Sequence, residues 1–104
     1  MTLSELFDKI LERPALYVGC TSISMIAAFL AGYEFAKFDG EENVKDELYT
    51  GFKEWVPKRF GIKTSHGWAN IIAFMGVGEM AAYELAKELW TEYKEQQGTK
   101  TRAK

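Results

Sequence analysis

Apolar residues recur at helical spacing along almost the whole of this 104-residue chain. Near the N-terminus they occupy the i, i+3, i+4, i+7 and i+8 positions of one helix face: Leu3, Leu6, Phe7, Ile10 and Leu11. Alternation of apolar and polar residues, which is typical of strands, reaches no useful length. The pattern therefore predicts an all-α fold, a single compact domain of about five helices.

The five predicted helices cover residues 3–12, 22–38, about 41–57, 66–75 and 78–96. Thr2 and Glu5 have the spacing of a capping box, and Pro14 ends the first helix because it disfavours helical geometry at the residue before it. The second helix is apolar almost all round in its first three turns, so we expect it to be the central and most buried one.

The predicted core includes two of the three tryptophans. Trp55 and Trp68 lie within apolar helical patterns and are expected to be largely buried, whereas Trp90 lies at the border of its apolar stripe. Gly61 is the predicted stop of the third helical region, and the two glycines at 76 and 78 form the break between the last two helices.

Charge separates the folded body from the C-terminus. The chain has 15 acidic and 13 basic residues, and three of the bases lie in segment 98–104, which has no acid. Residues 1–97, the predicted helical domain, therefore carry a net charge of −5, and 98–104 is predicted to be a flexible basic tail. An acidic body disfavours direct nucleic-acid binding, because phosphate recognition needs a basic face.

The sequence shows no pattern typical of export from the cell or of insertion into a membrane. The N-terminus has no basic region followed by an apolar run, and the longest mostly apolar stretch, 23–36, is too short to span a bilayer. Cys20 is the only cysteine, so an internal disulfide is impossible. We therefore expect a cytoplasmic protein without membrane contact.

Candidate catalytic and metal-binding residues are few. His66 is the only histidine and could act as a base or a ligand, but its setting at 64–67 is explained more simply by helix capping. Cys20 could be a nucleophile paired with His66, but no activating motif surrounds it, and a small buried hydrophobic role is the simpler interpretation. The sequence therefore predicts no enzyme, no cofactor and no metal site.

Two glycine-containing motifs also have structural interpretations. Segment 76–78 resembles part of a phosphate loop, but it follows a helix and lacks the basic residue, which favours a helix–helix turn. The Arg-Pro-x-x-Tyr-x-Gly motif at 13–19 could form a binding site through Arg13, Tyr17 and Gly19. Alternatively, the tyrosine packs on the helices and the arginine pairs with an acid such as Glu12.

Two acidic runs are the candidate partner-binding residues. The first, in segment 34–47, has a net charge of −4, and the second recurs at spacings of four along one face of the last helix. Like charges at this spacing cost a few tenths of a kcal/mol per pair, which a solvated face or a basic partner can offset. The candidates are Glu34, Asp39, Glu41, Glu42, Asp46 and Glu47 in the first run, and Glu84, Glu88 and Glu92 in the second.

Several short motifs resemble those of a group of small bacterial proteins. They are the motif at 13–19, the Ser-Ile-Ser at 22–24, the Gly-Tyr at 32–33, a Phe-x-x-Trp-Val at 52–56 and a Gly-Trp at 67–68, and together they cover roughly residues 3–90. The group resembled is that of immunity proteins, including those of contact-dependent growth inhibition systems. This resemblance implies a protein that binds and neutralises a toxin domain, and it implies no catalytic residues.

Three functions stay open at the level of sequence. The first is a stoichiometric inhibitor of a toxin, in which the acidic body covers the basic surface of a nuclease. The second is another non-catalytic interaction or adaptor module, with homodimerisation as one form. The third is a small enzyme centred on Cys20 and His66, or a nucleic-acid binder.

Overall fold

The computed structural model describes residues 2–38, 47–63 and 67–102, which form six helices and no strand. In chain order the helices are α1 (Leu3–Glu12), α2 (Pro14–Val18), α3 (Ile23–Phe38), α4 (Glu47–Arg59), α5 (Trp68–Gly76) and α6 (Glu79–Arg102). The predicted all-α single domain is confirmed. None of the helices in these described stretches is both long enough and apolar enough to cross a bilayer.

Helix α1 begins with the capping box that the sequence predicts. The Thr2 hydroxyl accepts a hydrogen bond from the Glu5 amide at 3.1 Å, and the Glu5 carboxylate accepts one from the Thr2 amide at 3.0 Å. The hydrogen bonds from Thr2 lower the pKa of Glu5 below its ordinary value. Because these bonds satisfy donors that the first helical turn leaves free, they define where α1 starts.

The sixth helix arises at the predicted turn, where the structure has the short helix α2. Pro14 ends α1 as expected, but it also occupies the first position of α2, where its missing N–H would have no partner. Gly19, with φ of 80°, then closes α2 in the left-handed region, and its N–H donates to the carbonyl of Ala15 at 3.1 Å. The expectation of five helices is therefore corrected to six over the described residues.

Helix α3 is not buried all round, which corrects the second expectation. Ile23, Ile26 and Leu30 are at most 2% exposed, and they form the side that packs against the other helices. On the remaining surface Met25 is 49% and Phe29 38% exposed. Apolar composition predicted that α3 would be covered, but the neighbouring helices cover only one of its sides.

Two glycines allow the last helix to approach its neighbours. A Cβ at Gly76 would lie 2.5 Å from Cα of Ala82, so only glycine permits the tight corner between α5 and α6. A Cβ at Gly51, in the middle of α4, would overlap the hydroxyl of Tyr93 on α6. The break predicted at 76–78 is confirmed, as is Gly61 as the stop after α4, where its φ is 66°. Pro57 lies inside α4, which continues to Arg59.

A cluster of aromatic rings forms the centre of the core. Phe7 of α1 lies 5.4 Å from Trp68 and 4.9 Å from Trp90, measured between ring centroids, and Phe52 of α4 lies 5.5 and 5.0 Å from the same two rings. These edge and tilted arrangements are the favourable geometries of aromatic pairs. The cluster joins four of the six described helices.

The tryptophans only partly follow the sequence prediction. Trp68 is 6% exposed and confirms it, whereas Trp55 is half-buried, because it stacks at the edge of the cluster on Phe52 and Tyr93. Trp90 is 2% exposed rather than at a border, and its indole N–H donates to Asp8 of α1 at 2.6 Å. The hydroxyl of Tyr83 likewise donates to a carbonyl of α1. These two bonds tie α6 to α1.

Candidate partner-binding surface

The solvent-facing side of α6 carries the second acidic run. The opposite side of this helix is buried in the core through Ala82, Tyr83, Ala86, Leu89, Trp90 and Tyr93. At 3.6 residues per turn this burial turns Glu84, Glu88 and Glu95 toward solvent, and all three are exposed. Glu92 lies at the edge of this side and is half-buried. We call Glu84, Glu88 and Glu92 the acidic ridge.

Cations neutralise part of the acidic ridge. Lys87 lies 3.7 Å from Glu84, and the Arg59 guanidinium of α4 donates to Glu92 at 2.8 Å. The hydrogen bond to Glu92 and its negative charge raise the pKa of Arg59 above its ordinary value. Among the described ion pairs none involves Glu88. Glu88, between two like charges at i±4, is therefore the residue whose charge is most available to a partner.

A protruding apolar corner joins the N-terminal end of the acidic ridge. Phe74 is 80% exposed, Val77 87% and Met80 61%, and they lie where α5 turns into α6. Val77 adopts a left-handed conformation with φ of 44°, which is unusual for a β-branched residue. Met80 and Glu84 are one helical turn apart on the same side of α6, so the apolar corner and the acidic ridge form one continuous surface.

The apolar corner was missed by the sequence analysis. Its signal was present, because Phe74 lies off the apolar stripe of Trp68, Ile71, Ile72 and Met75 in the predicted fourth helix. The two glycines at 76 and 78 predict a turn, but they do not predict the exposed apolar side chains around it. Large apolar side chains beside a strained turn are more informative than the turn alone, since such strain concentrates at functional segments.

The first acidic run is described only in part. Glu34 is half-buried on α3 and pairs with Lys53 of α4, with 3.6 Å between Oε2 and Nζ. The other predicted members of this run, Asp39, Glu41, Glu42, Asp46 and the side chain of Glu47, lie outside the described residues. The structure therefore brings Glu84, Glu88 and Glu92 together on one helix and places Glu34 on another.

A groove of about 280 Å³ lies next to Glu34, between α3, α4 and α5. Its walls include Ala27, Ala31, Tyr49 and Trp68, and the Glu34–Lys53 ion pair lines it. The volume is slightly below the range of typical small-molecule sites, and its two described charges neutralise each other. The groove therefore presents no net charge from its described side chains to a ligand.

Two residues of the motif at 13–19, Tyr17 and Gly19, are explained by their places in the fold. Tyr17 packs against the core, in agreement with the structural alternative for that residue, and Gly19 closes α2. Arg13 is exposed, and none of the described ion pairs includes it. The alternative that it pairs with an acid such as Glu12 is not seen within the described stretches.

The single cysteine differs from expectation. Cys20 is exposed rather than buried, because it follows the left-handed Gly19 in the connection to α3. His66 lies outside the described residues, and so does the pairing with Cys20 that the enzyme alternative needs. Across 2–38, 47–63 and 67–102, no three His, Cys, Asp or Glu side chains are grouped so as to hold a metal ion.

Three comparisons with known proteins, against family models, curated proteins and solved structures, found no match. The resemblance of the short motifs to immunity proteins therefore stays a prediction. What the geometry shows is an exposed surface on which the carboxylates of the acidic ridge adjoin the side chains of the apolar corner, the combination that protein interfaces use.

Proposed function

We propose that this protein acts in the bacterial cytoplasm as an immunity protein that binds a cognate toxin domain, a nuclease, and covers its substrate-binding surface. The observation that carries the proposal is the continuity of the acidic ridge with the apolar corner on α6. A nuclease needs a basic surface to bind phosphate, and an acidic surface is complementary to it. The resemblance of the motifs to immunity proteins supports the same function.

The two parts of this surface have different roles in the proposed complex. The acidic ridge speeds encounter, because long-range attraction raises association rates. The apolar corner slows release, because exposed aromatic and methionine side chains lose contact with water when a partner covers them. Tight inhibition needs both a fast encounter and a slow release.

The test first isolates the partner from the native cells with the purified chain as bait, and then purifies the nuclease domain of that partner with its activity intact. The unmodified chain should form a one-to-one complex with it and abolish cleavage. Reversing two charges of the acidic ridge, Glu84→Lys with Glu88→Lys, should slow association about tenfold or more at low salt. The difference should shrink as ionic strength rises, because exposed charges are screened over about 8 Å at physiological salt.

A second double variant, Glu42→Lys with Asp46→Lys, makes the same change in net charge in the first acidic run. If the acidic ridge is the contact, this variant should associate at nearly the parent rate. If it is the slower of the two, the contact lies in segment 34–47 instead. Parent-like association of both variants at every salt concentration would refute electrostatic steering by either surface.

Cys20→Ser provides the control for the enzyme alternative. Because Cys20 is exposed and the inhibitor proposal gives it no role, the variant should bind and inhibit as the parent does. Loss of inhibition with unchanged melting temperature would revive a reaction at this cysteine.

A further inference from the structure

Helix α3 leaves an apolar stripe uncovered. Met25, Phe29, Gly32 and Ala36 follow one another at spacings of four, three and four, so they lie along one side of the helix. All four are exposed, and Phe35, 69% exposed, lies beside them. The α3 stripe, as we call Met25, Phe29, Gly32 and Ala36, is about 16 Å long at 1.5 Å per residue.

Gly32 is not explained by the fold of the single chain. A glycine inside a helix costs about 1 kcal/mol relative to alanine. The glycines of α4 and α5 have a steric reason for that cost, whereas Gly32, like Gly98 near the end of α6, has none within the described part of the single chain. A Cβ at Gly51 or Gly76 would collide with Tyr93 or Ala82, whereas a Cβ at Gly32 would meet nothing within 4 Å. A small residue with open space in front of it allows another backbone to come close.

The distribution of charge favours a second copy of the chain as the partner that covers the α3 stripe. The chain body has a net charge of −5, and its acidic ridge would repel a second copy. The α3 stripe carries no charge. The two charged side chains of α3 both lie off the stripe: Glu34 lines the groove and pairs with Lys53, and Lys37, next to Ala36 in sequence, lies over the ring of Tyr33. Two copies can therefore meet through α3 without like-charge repulsion. An anionic membrane is disfavoured, because Lys37 is the single base of α3 and Glu34 balances its charge, whereas helices that lie on membranes are rich in Lys and Arg along their polar face.

We propose that the protein forms a symmetric homodimer in which α3 of one copy crosses α3 of the second copy at Gly32. Glycine and Ala36 let the two backbones approach, while Met25 and Phe29 pack into the partner helix on either side of the crossing. In a two-fold interface each stripe buries the other, which covers both uncovered sides with one contact. The proposal is independent of toxin binding, because it uses a different helix.

The experiment measures mass in solution by sedimentation over a wide concentration range. The unmodified chain should shift from monomer to dimer as its concentration rises. Gly32→Glu should weaken association by about tenfold or more, because it places a charge against its symmetry mate. The variant should fold normally, because glutamate has open space there and a higher helix propensity than glycine. Phe29→Glu should have the same effect on association.

Phe74→Glu is the matched control, because it removes an exposed phenylalanine from the apolar corner instead. It should dimerise as the parent does. A second readout is covalent: in a Cys20→Ser background, Gly32→Cys should form an intermolecular disulfide on mild oxidation. The crossing brings the two Cα atoms to bonding distance, roughly 4.4–6.8 Å.

Three outcomes would overturn the proposal. One is a parent chain that stays monomeric at every concentration; if that monomer floats with neutral lipid vesicles, the α3 stripe is a membrane contact. Another is a dimer that Phe74→Glu disrupts and Gly32→Glu does not, which would move the contact to the apolar corner. The third is a Gly32→Cys variant that stays uncross-linked while the parent is fully dimeric.

Discussion

Replacing Gly51 with alanine tests how closely α4 and α6 approach. The added Cβ would overlap the Tyr93 hydroxyl, and the next nearest atom, Cζ of the same ring, would lie 3.3 Å away. Tyr93 is 6% exposed and lies between Phe52, Trp55 and Trp90, with ring centroids 5.4 to 6.3 Å from its own. Its ring therefore has little freedom to move aside.

Two opposing effects determine the change in unfolding free energy. Alanine in a helix is favoured over glycine by about 1 kcal/mol. Overpacking a well-filled core costs roughly 1–3 kcal/mol. We expect Gly51→Ala to destabilise the protein by about 1 kcal/mol, with the steric term exceeding the propensity term. Tyr93→Phe removes the overlapping oxygen, so in that background Gly51→Ala should become neutral or stabilising.

The assay is a double-mutant cycle in denaturant unfolding, with the slope checked for constancy across variants. The expected coupling between the two sites is about 1–2 kcal/mol. Gly32→Ala is the control, because it makes the same chemical change in open space and should stabilise the monomer by about 1 kcal/mol. If Gly51→Ala and Tyr93→Phe prove additive within about 0.5 kcal/mol, the close contact does not exist.

Two further perturbations test the core and the start of α1. Trp68→Ala should lower the free energy of unfolding by roughly 3–5 kcal/mol, and Trp55→Ala, at a half-buried position, by about half as much. Equal losses of stability in thermal unfolding would contradict the difference in burial. The lowered pKa of Glu5 means that its contribution to stability is present above its ordinary pKa of 4.5 and is lost as pH falls through its lower folded value. Stability measured against pH should therefore fall less steeply in acid for Glu5→Gln, which keeps a side-chain oxygen to accept from the Thr2 N–H but has no carboxylate to protonate; parallel curves would be the contrary result.

Local signals account for the parts of the fold that the sequence predicted. The capping box of Thr2 and Glu5 and the break at 76–78 depend on residues within a few positions of each other, so they can be recognised in the sequence. Pro14 is ambiguous by the same local rule, because proline both ends one helix and suits the first turn of the next. That ambiguity is why α2 was missed.

Long-range contacts account for most of the rest. Trp90 lies at the edge of its own apolar stripe, and its place in the core follows from long-range contacts: its ring packs on Phe7, and its indole N–H donates to Asp8, 82 positions away in sequence. Apolar residues all round α3 predicted a buried helix, but Met25 and Phe29 are exposed in the single chain. Periodicity cannot say whether this chain or another copy covers them, and this is where the prediction of the most buried helix was wrong.

The candidate surface also combines a local pattern that the sequence predicts with a long-range contact that it does not predict. The spacing of Glu84, Glu88 and Glu92 predicted one helical face, and the structure places them on one helix with the core behind it. The neutralising contact from Arg59 was not predictable, because it joins helices 33 positions apart. It leaves Glu88 as the member of the acidic ridge that takes part in none of the described ion pairs.

Ionic strength distinguishes the two proposed interactions in a single preparation. Attraction between the acidic ridge and a basic toxin weakens as salt screens both surfaces. The α3 stripe is uncharged, and two chains with net negative bodies repel each other less at higher salt, so self-association should persist or strengthen. Raising the salt should therefore slow formation of the toxin complex and leave or increase the dimer fraction of the free chain. If both fall together, the dimer depends on charge and α3 is not its interface.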